Sequence, residues 1–423
     1  TVHLSDMSPS PDSPNARHLL ARLRLEQARF LFGLGRYERI PEYTGVAISL
    51  AAAGRDILVE SQANLVRGYV PLYQGEWHLA QASFERALSL AQAGLGSSPP
   101  VKDRRRISLR EVEANSLNGL AMVSKRLGRS AEAEHYLEAS LQAAREADDL
   151  AGQSRALNGR GMMALRRGDF STALAHSQEA LGCTQACGDR RIEGALFNNL
   201  GNIYLRLGVY EKAIAHYQKA LDIQREIGAR QKEMVARFNL GLAHHYQGDR
   251  EMARRRVQQA LDIARAVGDR RAEGLAWTGL GHVLLGLGRL DKARAAYQKS
   301  IALRRELGQT HLVAEPLTGL ARICLERGET GRAQVHVEEI LAHIESGGAL
   351  EGAISPFQMY LTCTHALAAG RDSRASAVLA TAHDLLQERA VKITDKEQRR
   401  SFLENVAAHR ELVQTFERMG GKE

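Results

Sequence analysis

Residues 194–221 read GALFNNLGNIYLRLGVYEKAIAHYQKAL, and the pattern of this stretch sets the fold. Phe197, Leu200, Gly201 and Tyr204 follow one another at spacings of 3, 1 and 3, and Ala213, Tyr217, Ala220 and Leu221 at 4, 3 and 1. Each set is the apolar stripe of an amphipathic helix. Between them, Leu207-Gly208-Val209-Tyr210 supplies a glycine where the first helix must stop in a left-handed conformation. Outward from Gly208 the same glycine recurs every forty residues, at Gly128, Gly168, Gly248, Gly288 and Gly328. Gly35 and Gly75 are also forty apart, and a second column, Gly188, Gly228, Gly268 and Gly308, runs twenty residues out of phase. Two helix ends per forty residues describe a stack of helical hairpins.

Gly201 and its register mates Gly161, Gly241 and Gly281 lie inside the first helix, where glycine costs ~1 kcal/mol relative to alanine. Close helix approach is the expected compensation, against the small column Ala173, Ala213, Ala253, Ala293 and Ala333 of the second helix. Upstream, residues 1–18 with Pro9, Pro11 and Pro14 read as a linker or arm, and 19–93 as two repeats. Leu34-Gly35-Arg36-Tyr37 marks the first turn, and Pro71 is expected to kink or shorten the helix that precedes Gly75. The step from Gly75 to Gly128 is thirteen residues longer than the period, which places an inter-repeat loop insertion at 94–110. Repeats three to nine occupy 111–390, the ninth with Ala369-Gly370-Arg371 at its turn, and 391–423 forms a C-terminal capping helix. In that helix Phe402, Val406 and Leu412 would cover the final repeat.

Composition agrees with an all-helical stack: 44% of residues are hydrophobic, only 5% are aromatic, and Ala and Leu dominate. The formal charge of +8, from 57 Lys+Arg against 49 Asp+Glu, is modest for 423 residues. The tight basic runs, Arg104-Arg105-Arg106 and Arg254-Arg255-Arg256, lack an aromatic platform and read as solvated helix faces, which argues against direct nucleic-acid binding. Four cysteines make no disulfide framework and point to a reducing compartment. No apolar run approaches the ~20 residues that span a bilayer, and no secretory signal opens the chain. The expected location is cytoplasmic. The first residue is Thr1, so either a methionine was removed or the chain is part of a larger polypeptide, and the second is the expectation.

The recurring large residue, Leu-Gly, Tyr, second Gly, Ala, aromatic and Ala-Leu, as in Asn199-Leu200-Gly201-Asn202-Ile203-Tyr204 and Trp277-Thr278-Gly279-Leu280-Gly281, resembles the tetratricopeptide repeat. The resemblance implies an all-α, right-handed superhelical solenoid of about nine repeats with a capping helix. A forty-residue period exceeds the family's usual 34 and lengthens both helices to ~16 residues, or ~24 Å. Repeats this long are similar to those of STAND-type signal-transduction ATPases, including maltose-regulator-like activators, and of kinesin light chains. The tail from Arg399 to Arg410 also resembles segments closing such repeat regions. This likeness implies a sensor of an inducer or partner, with an ATPase domain on the N-terminal side of a longer polypeptide. The sequence itself holds no Gly-x-x-x-x-Gly-Lys-Ser/Thr phosphate loop.

A tetratricopeptide superhelix is expected to line its concave groove with first helices. Beside the core stripe lie Asn118, Met122 and Arg126, then Asn158, Met162 and Arg166, then Asn198, Asn202 and Arg206. Phe238, Leu242 and Tyr246 follow, then Thr278, His282 and Gly286, and then Thr318, Arg322 and Glu326. An amide offers donor and acceptor together, suited to an extended peptide backbone or a polar small molecule, and arginine adds a fork for carboxylate or phosphate. Asn199 and Asn239 stand beside the column, where related repeats use asparagine for peptide contacts, and His245 of the His244-His245 pair is a further groove candidate. Cys183-x-x-x-Cys187 with His176 lacks a fourth ligand and reads as helix packing, so no metal or cofactor is expected. No convergent acid, base and nucleophile is visible, so an enzyme is not expected. The expectation is a sensor module binding peptide, protein or small-molecule inducer; a constitutive protein–protein adaptor is the alternative.

Overall fold

The computed structural model describes residues 13–33, 36–97, 103–345 and 354–420. Gly35, with its turn, and Pro9 and Pro11 lie outside the described residues. Among those residues there are α-helices and one 3-10 turn and no strand. In chain order the first helices of the hairpins are α1 (Pro14–Gly33), α3 (Ile57–Gln74), α5 (Arg104–Arg126), α7 (Leu150–Arg166) and α9 (Arg190–Arg206), then α11 (Arg230–Gln247), α13 (Arg270–Gly286), α15 (Ala314–Glu326) and α17 (Pro356–Ala369). The second helices are α2 (Ile40–Ala53), α4 (Trp77–Ser97), α6 (Ser130–Glu146), α8 (Phe170–Cys187) and α10 (Tyr210–Glu226), then α12 (Arg250–Ala266), α14 (Leu290–Glu306), α16 (Thr330–Glu345) and α18 (Arg374–Val391). Helices consecutive in the chain pack on one another, as a tetratricopeptide-type solenoid requires. By contacts the chain divides into two compact units, residues 1–163 with 182–188 and residues 164–181 with 189–423.

Glycines of both columns, among them Gly128, Gly168, Gly208, Gly228 and Gly328, take φ between 68° and 76° and stop their helices as the sequence pattern demands. Where glycine is missing from the second column, Asp148 takes the left-handed position at φ 55°. At the ninth turn the left-handed residue is Arg371, at φ 54°, and Gly370 stays at φ −84°.

The interior glycines of the first helices meet large neighbours. A Cβ on Gly201 would lie 2.5 Å from the Tyr217 ring, and one on Gly241 2.5 Å from Val257. Gly281 and Gly319 both face Tyr297, and Gly68 and Gly119 both face Phe84. One bulky side chain from a second helix is thus clamped between two first helices. Tyr297 and Phe84 are fully buried there, as is Tyr217 against Gly201. Second helices also tie back to first-helix backbone by small hydroxyls: Ser140 Oγ donates to the Ala114 carbonyl at 2.8 Å and Ser300 Oγ to Gly274 at 2.8 Å.

Four expectations on element bounds are corrected. The first helix begins at Pro14, inside the expected arm, because Ser13 caps it by accepting the Ala16 N–H and proline suits a first turn. Pro71 does not shorten α3, which runs through it and stops only at Gly75, whose N–H bonds the Pro71 carbonyl. Much of the expected 94–110 loop is helix: α4 continues to Ser97 and α5 starts at Arg104, capped by Asp103. Gly94 stays helical because its missing Cβ lets Leu109 and Ile57 press close. The capping region is two helices, α19 (Lys396–Glu404) and α20 (Ala407–Gly420). A further irregularity lies at α15, which begins at Ala314 after a 3-10 turn at Thr310–Leu312. Pro316 has no N–H to give the Leu312 carbonyl, so the helix cannot start at the position its register mates use.

Within the second unit the C-terminal segment returns to the unit's first helix. Ser171 Oγ meets Thr394 Oγ1 at 3.1 Å, and the Phe170 and Phe402 rings lie 5.4 Å apart. The Tyr210 hydroxyl donates to the Asn405 carbonyl at 3.3 Å. Phe402 and Val406 therefore cover α8 and the Gly208 turn, and it is α20, through Leu412, that covers the final hairpin.

Candidate functional site

In the second unit the first helices α9, α11, α13, α15 and α17 form one inner layer, each touching the next. Tyr246, at the end of α11, lies in the electrostatic reach of Glu315 and Arg322 on α15. Of the polar residues expected from the sequence, Asn198, Asn202, Asn239, His245 and His282 lie on helices of this layer.

Asn239 Nδ2 donates to Asn198 Oδ1 at 2.9 Å, joining α11 to α9. This bond leaves the Asn198 amide nitrogen and the Asn239 amide oxygen as one donor and one acceptor, the pair a peptide unit complements. Asn202 Oδ1 accepts from the buried Tyr217 hydroxyl at 2.7 Å. Two repeats on, His282 Nδ1 takes the same place against the Tyr297 hydroxyl at 2.8 Å. His282 Nε2 then lies 3.5 Å from Glu315 Oε1, and both Glu315 oxygens accept the Ile354 N–H at 3.0 Å. Glu315 is 8% exposed, so this carboxylate is a fixed, largely desolvated negative charge in the layer.

Around it the field is positive. Burial, and then the Arg389 guanidinium, lower the pKa of Arg206, which half-exposes its side chain toward the interior. Burial, then His282, Arg250 and Arg322, lower His245 to about 3, so its imidazole is neutral. Its Nδ1 is buried without a hydrogen-bond partner, and the ring presses on Gly286. Tyr246 stacks on Tyr210 at 6.2 Å, and burial raises its hydroxyl pKa well above the usual range. Arg166 and Asn199 are half-buried in this unit.

Phe238 is not a surface residue. It is 3% exposed and fills the space left by Gly279 on the next first helix. In the first unit Asn118 is buried at 9% exposure, Asn158 is half-buried, and Arg126 is exposed with its guanidinium 5.9 Å from the centre of the Trp77 ring. Sequence reasoning placed Arg322 on the column without naming it a site candidate, and it missed Glu315. Glu315 belongs to an irregular helix start, and no forty-residue column pointed to it. Among the described residues no three His, Cys, Asp or Glu side chains are placed to hold a metal. No helix among them is long and apolar enough to cross a membrane.

Two family models match the chain: the tetratricopeptide repeat over residues 112–186 and 193–266, and the MalT-like TPR region over residues 230–418. The chain is a tetratricopeptide-repeat protein. No curated protein matches it. Among solved structures it is similar to a Rap protein complexed with Competence and Sporulation Factor, with 16% identity, a TM-score of 0.57, and coverage of 86% of this chain and 99% of that one. NprR in complex with its cognate peptide NprX gives 13%, 0.56, 85% and 93%. A STAND protein with a tetratricopeptide repeat sensor from Pyrococcus horikoshii gives 18% and 0.55 over 83% of this chain and 50% of that one. At these identities the likeness is one of fold.

Proposed function

We propose that the chain is the sensor module of a STAND-type signal-transduction regulator, and that it binds an extended peptide on the inner layer of its second unit. The observation that carries this is the Asn198–Asn239 amide pair, set among Asn202, Arg206, Tyr246, His282, Glu315 and Arg322 on neighbouring first helices. The unused donor and acceptor of the pair engage peptide backbone, Arg322 takes a ligand carboxylate, and Glu315 takes a ligand N–H. Similarity to two peptide-complexed structures supports the peptide, and the MalT-like match with the STAND likeness supports coupling to a nucleotide-dependent regulator in the cytoplasm. On this reading the module binds its ligand and is not an enzyme.

A displayed random-peptide library selected on the intact chain tests this. Selected peptides are expected to lose about tenfold or more in affinity for the Asn198→Ala/Arg322→Gln variant, with melting and helicity close to the parent's. Peptides that bind the variant as tightly as the parent would move the site off this layer.

A further inference from the structure

The first unit contains a cleft of about 670 Å³ between the start of α1, the α2–α3 turn and the first turn of α5. Its charged lining is His18, Arg22, Arg55, Asp56, Arg104 and Arg105. Arg104 and Arg105 belong to a basic run that the sequence presents as a solvated helix face. The fold brings two further arginines, from α1 and from the α2–α3 turn, to the same opening.

All four arginine side chains are exposed, and none has an ion pair or hydrogen bond to another described residue. The single acid of the lining is already engaged. Asp56 caps α3 by accepting the Val59 N–H at 3.2 Å and holds His18 Nδ1 at 2.6 Å. Among the described residues four like charges therefore converge without a counter-charge of their own, an arrangement that folding alone does not favour.

Arg55 takes φ 53°, in the left-handed region, and Gly54 before it φ −87°, the same arrangement as Gly370-Arg371 at the ninth turn. A glycine at 55 would take that turn without strain. The N-terminal ends of α3 and α5, at Ile57 and Arg104, also abut the opening and add their positive partial charge.

Among the described residues no Phe, Tyr or Trp lines the cleft, and the apolar side chain there is Leu58, so they offer a nucleobase no stacking platform. What remains is recognition by charge and by arginine forks. A phosphate carries up to two charges and three acceptor oxygens, so one group engages more than one fork where a carboxylate fills a single fork. We propose that this cleft binds a multiply charged phosphate group, with Arg22, Arg55, Arg104 and Arg105 as its ligands. The site belongs to the first unit, and the peptide layer to the second.

Calorimetric titration of the full chain with sodium pyrophosphate, and separately with a phosphoserine peptide, tests it at low and high salt. At least one probe is expected to saturate a single site, with affinity falling steeply as salt screens the exposed arginines. Arg55→Gly and Arg105→Gln are each expected to weaken that binding about tenfold or more. Arg55→Gly should do so with an unchanged or raised melting temperature, because it relieves the backbone. Tighter pyrophosphate binding upholds a free polyphosphate ligand, and tighter phosphopeptide binding upholds a protein-borne one. The proposal fails if neither probe saturates, if both variants bind as the parent does, or if a glutamate-substituted peptide of matched charge binds as well as the phosphopeptide.

Discussion

Gly201 and Gly182 both lie inside helices, yet the same substitution acts on them in opposite directions. At Gly182, in α8, an added Cβ meets nothing within 4 Å, so Gly182→Ala gains helix propensity and should stabilise by ~0.5–1 kcal/mol. At Gly201 the Cβ would lie 2.5 Å from the buried Tyr217 ring, and overpacking of ~1–3 kcal/mol exceeds the propensity gain. Urea midpoints should therefore rise for Gly182→Ala and fall for Gly201→Ala; equal shifts would refute the clamp. The glycine was legible in the sequence as a point of close approach, but its filler was not. Tyr217 and Tyr297 sit sixteen residues further on and read as ordinary second-helix core. Phe238 was misread for the same reason. Val257 is too short to reach Gly279 as Tyr297 reaches Gly319, and Phe238 swings inward to fill that place. Volume exchanged between helices does not appear in a one-dimensional column.

At the scale of elements, the break between α19 and α20 has no glycine or proline to announce it. It is made by side chains that satisfy the last carbonyls of α19. His409 Nδ1 donates to the Phe402 carbonyl at 2.7 Å, and Arg410 Nη1 to Glu404 at 2.5 Å. His409 is 7% exposed, with Phe357 edge-on at 4.7 Å and Phe402 at 4.4 Å. Burial lowers its pKa to about 3, against the hydrogen bond to Phe402 that raises it. The folded chain thus keeps this histidine neutral at a pH where the unfolded chain protonates it. Stability contributed at neutral pH is lost as pH falls from about 6.5 towards 3, by up to ~1.4 kcal/mol per pH unit at the steepest. His409→Gln keeps a donor for the carbonyl and removes the titration. Its urea midpoint should lie below the parent's at pH 7.5, because ring packing is lost, and should then fall less steeply with acid. Parallel pH profiles would show that His409 is not the acid-sensitive group. The helix stops, by contrast, were legible because each depends on one residue with a left-handed backbone.

Over the whole molecule the spacing of glycines is forty residues, but the chemistry repeats at eighty. Arg110 pairs with Glu146 at 2.9 Å, Arg190 with Glu226 at 2.5 Å and Arg270 with Glu306 at 2.7 Å, each across its own hairpin. Asn202 on Tyr217 and His282 on Tyr297 follow the same step, with the apolar Leu242 and Val257 between them. Exposed pairs of this kind contribute little energy, ~0–1 kcal/mol each, so stability of the second unit must rest on packing. Its least local packing is the return of α19 to α8, which sequence order hides because Phe170 and Phe402 are more than two hundred residues apart. Phe402 is 1% exposed, and Phe402→Ala should cost ~3–5 kcal/mol at this contact. Because elements at the end of a repeat array open locally, the loss should appear as sub-global opening. Hydrogen exchange should show α19, the start of α8 and the Gly208 turn losing protection together, while α13 and α14 keep theirs. Protection lost from α19 alone would mean that the return contact is passive. Coordinated loss would establish that α19, the start of α8 and the Gly208 turn open as one cooperative element.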